Sequence, residues 1–82
     1  KNDFNSALEI AQTVVAHERK VTGMINDLVD LAKKENDHAS LEFLQWFVKE
    51  QVEEEASAEQ LLKVVEMAGK NLLQAQNFIK RD

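Results

Sequence analysis

Two long stretches of apolar residues at helical spacing, joined by a short polar connection, most constrain the fold of this chain. The sequence has no proline, and Gly23 and Gly69 are its only glycines, so few residues interrupt helices. The spacing predicts helices over about 6–34, about 38–68 and about 71–80, with Gly69 ending the second. The expected fold class is therefore all-α.

The connection between the first two helices is polar and short, over residues 33–38. Asn36 suits the left-handed conformation that ends a helix, and Asp37 can cap the next helix together with Ser40. A connection this short makes the two helices antiparallel neighbours. Two helices of roughly 45 Å leave one side of each apolar stripe in water, so we expect a four-helix bundle completed by helices of another chain.

The composition excludes several classes of protein. The net charge is −5 and the basic residues are scattered, which argues against a nucleic-acid partner. No apolar run approaches the roughly 20 residues that span a membrane, and no signal peptide is evident. Cysteine is absent, which rules out thiolate sites and suits a cytoplasmic location. A single domain over 1–82 is expected, and the start at Lys1 indicates a processed or truncated product.

Two polar residues interrupt the apolar stripe of the second helix. Gln51 follows Leu44, Phe47 and Val48 by seven, four and three positions, and Glu54 continues the same face. An ionised carboxylate in an apolar interior is costly unless it is paired or bound to a metal. The position of Glu54 therefore predicts a counter-charge.

Glu18 interrupts the stripe of the first helix in the same way. It lies about as far before the connection as Glu54 lies after it, so an antiparallel hairpin brings Glu18, Gln51 and Glu54 to one level. Facing carboxylates must share a metal or take up a proton. No internal lysine or arginine lies at that level, and oxygen ligands suit iron, manganese or another hard divalent cation. The alternative is that the stripe is narrower and these acids are solvated.

Further polar residues surround this level. Glu50 and Glu53 lie on the flank of the same face, at spacings that let them share a cation with Glu54. Glu55 is expected to be solvated. For His17, a position at the surface or in contact with a ligand residue is expected, with direct binding of the metal as the alternative.

Three segments carry a family resemblance: residues 16–22 (AHERKVT), 25–32 (INDLVDLA) and 43–55 (FLQWFVKEQVEEE). Together they resemble the bacterial and archaeal non-haem ferritins, in the third and fourth long helices of that family's four-helix bundle. The resemblance implies a ferritin-like helical hairpin, half of the bundle, with a short C-terminal helix. It also implies iron storage: oxidation of Fe(II) by oxygen or peroxide at a carboxylate-rich di-iron site, inside a cage of twenty-four subunits.

The resemblance also assigns roles to the polar residues. It makes Glu18 a ligand of the di-iron centre and places Gln51 beside that centre. It makes Glu50, Glu53 and Glu54 the acids of a third iron site. Non-haem iron is thus the implied metal, and the complete site would act as a ferroxidase.

The chain lacks the family's first two helices, which contribute a glutamate and a Glu-x-x-His pair. Three interpretations follow: a fragment of a full ferritin, a natural half-length protein, or a hairpin that pairs with itself. The partner is then a complementary N-terminal half or a homo-oligomer. The rival hypothesis is a helical dimerisation module without metal chemistry, in which Glu18 and Glu54 would be expected as leucine or alanine.

Overall fold

A computed structural model describes the backbone of residues 3–80 and the side chains of residues 3–72. It contains two antiparallel α-helices, α1 (Asp3–Lys34) and α2 (His38–Lys80). The all-α hairpin expected from the sequence is confirmed. Helix α1 begins three residues earlier than predicted, and Asp3 supplies an acidic side chain in its first turn, where the helix dipole favours one.

The turn between the helices has the predicted chemistry. Asn36 adopts a φ of 56°, and the Asp37 N–H donates to the Ala32 carbonyl at 2.9 Å, as in a Schellman motif. Asp37 then caps α2, because its carboxylate accepts from the Ser40 N–H at 3.1 Å and from the Ser40 hydroxyl at 2.6 Å. These two hydrogen bonds hold the pKa of Asp37 below its ordinary 3.8, with a smaller contribution from the nearby charge of His38.

The helices meet along an interhelical seam whose residues repeat at alternating spacings of three and four. On both helices these residues are buried or half-buried. They are Phe4, Leu8, Ala11, Val15, Glu18, Thr22, Ile25, Val29 and Ala32 on α1, and Leu41, Leu44, Val48, Gln51, Glu55, Ala58, Leu62, Val65 and Gly69 on α2. A 3.5-residue repeat is typical of helices that stay in contact over a long distance.

The predicted break at Gly69 and the separate helix over 71–80 are wrong, because α2 continues without interruption to Lys80. A glycine inside a helix costs only about 1 kcal/mol. Gly69 is buried in the seam, and a Cβ added there would overlap the ring of Phe4. The glycine therefore admits an aromatic ring rather than ending a helix. The apolar side predicted for the last helix lies largely outside the described side chains.

The hairpin is one helix layer thick. Its principal extents are 69 × 19 × 13 Å, and its radius of gyration is 19.3 Å, against about 12 Å for a compact domain of this length. Among the described side chains, no large one is fully buried. Within the same residues, no helix is long and apolar enough to cross a membrane.

Two further stripes flank the seam. Over 10–31 of α1 and 43–64 of α2, the residues that directly precede seam positions form the open face. Its members are Ile10, Val14, His17, Val21, Met24, Leu28 and Leu31 on α1 and Phe43, Phe47, Glu50, Glu54, Ser57, Leu61 and Val64 on α2. Each residue of an α-helix is rotated by about 100° from the next one. Because the two helices are antiparallel, the residues that precede the seam positions lie on the same side of the hairpin in both helices. Leu28, Leu31 and Phe43 accordingly line one groove.

Candidate carboxylate site

The middle of the seam holds a carboxylate and an amide in direct contact. The Gln51 Nε2 donates to the Glu18 Oε1 at 2.8 Å and to the Glu18 main-chain carbonyl at 3.0 Å. Gln51 is buried, with 8% of its surface exposed, and Glu18 is half-buried. The amide nitrogen faces the carboxylate because the amide oxygen would be repelled by it. The predicted meeting of these two residues is thus observed.

A second polar pair lies one turn away in the seam. The Thr22 hydroxyl contacts the Glu55 carboxylate closely and lies 3.0 Å from the Glu18 carbonyl oxygen. A hydroxyl carries one proton, so it donates to only one of these acceptors at a time. Glu55, expected in solvent, is therefore half-buried between the helices.

The expected inward orientation of Glu54 is wrong for the contact between α1 and α2. Glu54 is exposed, because the seam continues from Gln51 by a step of four to Glu55 rather than by a step of three. Glu54 instead lies on the open face, four positions after the half-buried Glu50. The two acids and His17 are thus directed toward whatever covers that face.

The described residues do not complete a metal site within one chain. No three histidine or acidic side chains among them converge closely enough to hold a metal ion. The structure brings Glu18 together with Gln51, but it leaves Glu50 and Glu54 on the open face and Glu53 exposed at its edge. A site that uses all five positions needs groups from another helix pair.

One Glu-x-x-His spacing does occur, at Glu35 and His38. Both residues are exposed at the connection, at the end of the hairpin, where α1 stops and α2 begins. The pair is therefore far along the helices from the Glu18 level and supplies no histidine to it.

Sequence reasoning missed two interactions between the helices. The contact between Thr22 and Glu55 was not predicted, because the apolar stripe of the second helix was continued from Gln51 to Glu54. A strict alternation of steps of three and four through Val48, Gln51 and Ala58 selects Glu55 instead. Arg19 and Glu59 form an ion pair at 3.2 Å on the side opposite the open face. Both are largely exposed, so the pair contributes little to stability.

Comparison with known proteins places these residues in a family. The Ferritin-like domain family matches residues 1–68, a range that includes the seam pair and the acids of the open face. This chain belongs to the ferritin-like family. Its relatives include Ferritin BfrB of Mycolicibacterium smegmatis, which is 37% identical over 81 residues, 99% of this chain and 45% of that protein.

Two further relatives of this ferritin-like chain are named bacterial non-heme ferritin. The one from Bacteroides fragilis is 42% identical over 66 residues, 80% of this chain and 42% of the relative. The one from Staphylococcus saprophyticus is 48% identical over 59 residues, 72% of this chain and 35% of the relative. The chain thus spans less than half the length of these relatives. No solved structure matches it significantly.

Proposed function

We propose that this chain is one half of a ferritin-type bundle that binds Fe(II), promotes its oxidation and serves iron storage. Membership of the ferritin-like family and the relatives named ferritin support the general assignment. Assembly into an oligomer, a cage of twenty-four subunits and a cytoplasmic location belong to the same proposal.

The observation that carries the proposal is the Gln51–Glu18 contact. The amide holds Oε1 of the carboxylate at 2.8 Å, while Oε2 has no hydrogen-bond partner among the described residues. A carboxylate fixed by one oxygen presents the other in a defined direction, which is the arrangement expected of a ligand oriented by a neighbouring side chain. Glu18 is therefore assigned as an iron ligand and Gln51 as the residue that orients it or binds loosely beside it.

The acids of the open face would provide the remaining oxygen ligands of this chain. Glu50 and Glu54 are one turn apart on α2, and Glu53 lies beside them. All are hard donors that suit Fe(II) and Fe(III). With a second helix pair in place, Glu18 would serve a di-iron centre and the α2 acids a third iron site. Each Fe(II) loses one electron to oxygen or peroxide.

Iron titration of matched variants tests the proposal. Anaerobic calorimetry measures saturable Fe(II) binding, and absorbance after addition of oxygen measures oxidation. We expect Glu18→Gln combined with Glu54→Gln to lower the affinity and the oxidation rate at least about tenfold, because each change removes a charged ligand at constant size. Glu42→Gln, an identical change at an exposed position of α2 outside the seam and the open face, serves as the control.

Two results would contradict the assignment. One is an unmodified chain that binds no Fe(II) saturably when a second helix pair is in place. The other is a double variant that binds and oxidises iron as well as Glu42→Gln does. Either would favour the rival function, a helical interaction module without metal chemistry, for which the exposed apolar residues of the open face are the supporting observation.

A further inference from the structure

A groove lies over the middle of the seam, on the side of the hairpin opposite the open face. Residues that directly follow seam positions form this opposite side, and four of them line the groove: Asn26 on α1 and Val52, Ala56 and Glu59 on α2. The volume of the groove is about 410 Å³. Sites for small molecules have volumes of roughly 300–1,000 Å³. The groove therefore has room for a small ligand, and covering the open face would leave it accessible.

The groove contains a carboxylate that has no cationic partner among the described residues. Glu55 lines the groove and is half-buried, and its Oε2 contacts the uncharged Thr22 hydroxyl. Its Oε1 has no hydrogen-bond partner within residues 3–72, and Glu55 forms no ion pair there. Glu59 differs, because Arg19 offsets its charge at a distance of 3.2 Å. A half-buried charge in this state favours a cationic ligand.

A buried amide oxygen atom lies at the same place. Gln51 also lines the groove, although only 8% of its surface is exposed. Its Nε2 is directed to Glu18, so its Oε1 is left without a hydrogen-bond donor among the described residues. None of the described side-chain oxygen or nitrogen atoms is both fully enclosed and unpaired, so this Oε1 keeps contact with solvent. A buried oxygen atom that is open to a groove is an acceptor for a polar group of a ligand.

Apolar side chains surround these oxygen atoms. Ile25 and Val48 are half-buried in the groove, and Val52, at its edge, is 66% exposed. Two small residues leave the edges open: Ala56 on α2 and, beside the groove on α1, Gly23, where an added Cβ would meet nothing within 4 Å. Glycine is common where a ligand approaches a backbone closely. The groove thus offers apolar surface for an alkyl chain next to acceptors for a charged group.

We propose that this groove binds a protonated primary alkylamine. The ammonium group donates to the Oε1 of Glu55 and to the Oε1 of Gln51, and the exposed Asn26 amide at the edge can accept its third hydrogen bond. The alkyl chain packs against Val48 and Val52. A single free carboxylate oxygen is sufficient for an ammonium group, whereas a guanidinium group pairs best with both oxygens of a carboxylate.

The chemistry of the groove suits an ammonium ion better than a metal ion. Hard divalent cations take about six or more oxygen ligands, and no three histidine or acidic side chains converge among the described residues. An ammonium group needs only three acceptors. The site is also separate from the proposed iron ligands, because neither Glu18 nor the acids of the open face line the groove. Gln51 takes part in both sites, through its Nε2 in one and its Oε1 in the other.

Ligand-observed NMR titration of the full chain with pentylamine, in metal-free buffer at neutral pH and constant ionic strength, tests the proposal. Pentylamine is protonated under these conditions, because the pKa of an alkylamine lies near about 10.4. We expect saturable binding with a dissociation constant on the order of 1 mM, as is usual for so small a ligand. Pentanol, which has the same chain without the charge, should bind at least about tenfold more weakly.

Matched variants locate the binding. Glu55→Gln should raise the dissociation constant of pentylamine at least about tenfold, because the amide keeps an acceptor for Thr22 but removes the charge. Glu42→Gln is the control, since it makes the same change at an exposed position of the opposite side. Ala56→Leu should also weaken binding, because the larger side chain fills the groove and leaves every polar group in place. Circular dichroism checks that each variant remains helical.

Several results would overturn the inference. They are pentylamine binding that does not saturate, pentanol that binds as tightly as pentylamine, and a Glu55→Gln variant whose affinity equals that of Glu42→Gln. Ca²⁺ that binds more tightly than pentylamine and loses its affinity in Glu55→Gln would assign the groove to a metal ion instead. Because the measurement uses no iron, failure of the proposed function would leave this inference standing, and failure of this inference would leave the proposed function untouched.

Discussion

Replacing Gln51 by glutamate is the most direct test of the contact at the centre of the seam. The Gln51 amide donates to the Glu18 carboxylate at 2.8 Å and to the Glu18 carbonyl at 3.0 Å. Glutamate has nearly the same shape but, when ionised, has no hydrogen to donate. In the Gln51→Glu variant two carboxylates would therefore face each other at hydrogen-bond distance.

The expected destabilisation follows from these distances. A hydrogen bond to a charged group contributes about 1.5–3 kcal/mol to stability. Two like charges about 4 Å apart repel by roughly 4 kcal/mol at an effective dielectric constant of 20. Glu18 is only half-buried, so solvent screens much of this repulsion, and uptake of a proton relieves more of it. We expect a loss of about 3 kcal/mol in the free energy of unfolding at pH 7.

The loss should depend on pH with a defined sign. The neighbouring carboxylate raises the pKa of the introduced carboxyl above the value of about 4.3 that it has in the unfolded chain. The folded variant then binds more protons than the unfolded one, so its stability falls as the pH rises through the folded pKa. The deficit should fade as the pH falls from the folded pKa toward about 4.3, because the protonated carboxyl can again donate a hydrogen bond to its neighbour.

Urea unfolding followed by circular dichroism, at one protein concentration and from pH 4 to pH 8, measures the loss in the free energy of unfolding and its dependence on pH. Gln60→Glu is the matched control, because Gln60 is exposed on α2 and the charge change is identical. A deficit at pH 7 no larger than that of Gln60→Glu would refute the reasoning. A deficit that stays constant across the pH range would refute the electrostatic part of it.

The other two predictions concern the ends of the hairpin. Gly69→Ala should destabilise the fold by about 1–3 kcal/mol in urea unfolding, because the new Cβ overlaps the Phe4 ring. Gly23→Ala should instead stabilise the fold by up to about 1 kcal/mol, because a Cβ at Gly23 meets nothing within 4 Å. Equal effects of the two substitutions would contradict the close contact between Gly69 and Phe4. Asp37→Ala should lower the melting temperature at pH 7 and much less at low pH. The Ser40 hydrogen bonds lower the folded pKa of Asp37, so the stability that they contribute is present above its ordinary 3.8 and lost as the pH falls through the folded pKa. Equal losses at both pH values would argue against the cap.

Local signals in the sequence predicted the turn, because they depend on neighbouring residues only. Asn36 and Asp37 have strong conformational preferences that no distant contact overrides here. The prediction that Gly69 ends the second helix was wrong, because the role of Gly69 depends on Phe4, which is far away in the sequence. The structural role of a glycine cannot be predicted from its neighbours in sequence when an aromatic ring from a distant residue packs against it.

The site was half predictable for a geometric reason. Counting residues from the connection predicted that Glu18 lies level with Glu54 and close to Gln51, and the structure brings Glu18 into contact with Gln51, about one turn before Glu54. The direction of Glu54 was wrong because helical positions three and four apart both lie near one face. Packing against α1 determines whether Glu54 or Glu55 lies between the helices. The 3.5-residue repeat of the seam places Glu55 there.

The order of residues along the chain explains why polar residues occur in adjacent pairs. Each open-face position directly precedes a seam position, so Glu50–Gln51 and Glu54–Glu55 each place one side chain between α1 and α2 and its neighbour on the open face. In a helix that is buried on one side only, adjacent polar pairs would not be expected, because the residues on its solvated side could be of almost any type. The pairs are expected if both faces meet at one level of a bundle, where the seam residues orient the ligands and the open-face residues meet the partner's.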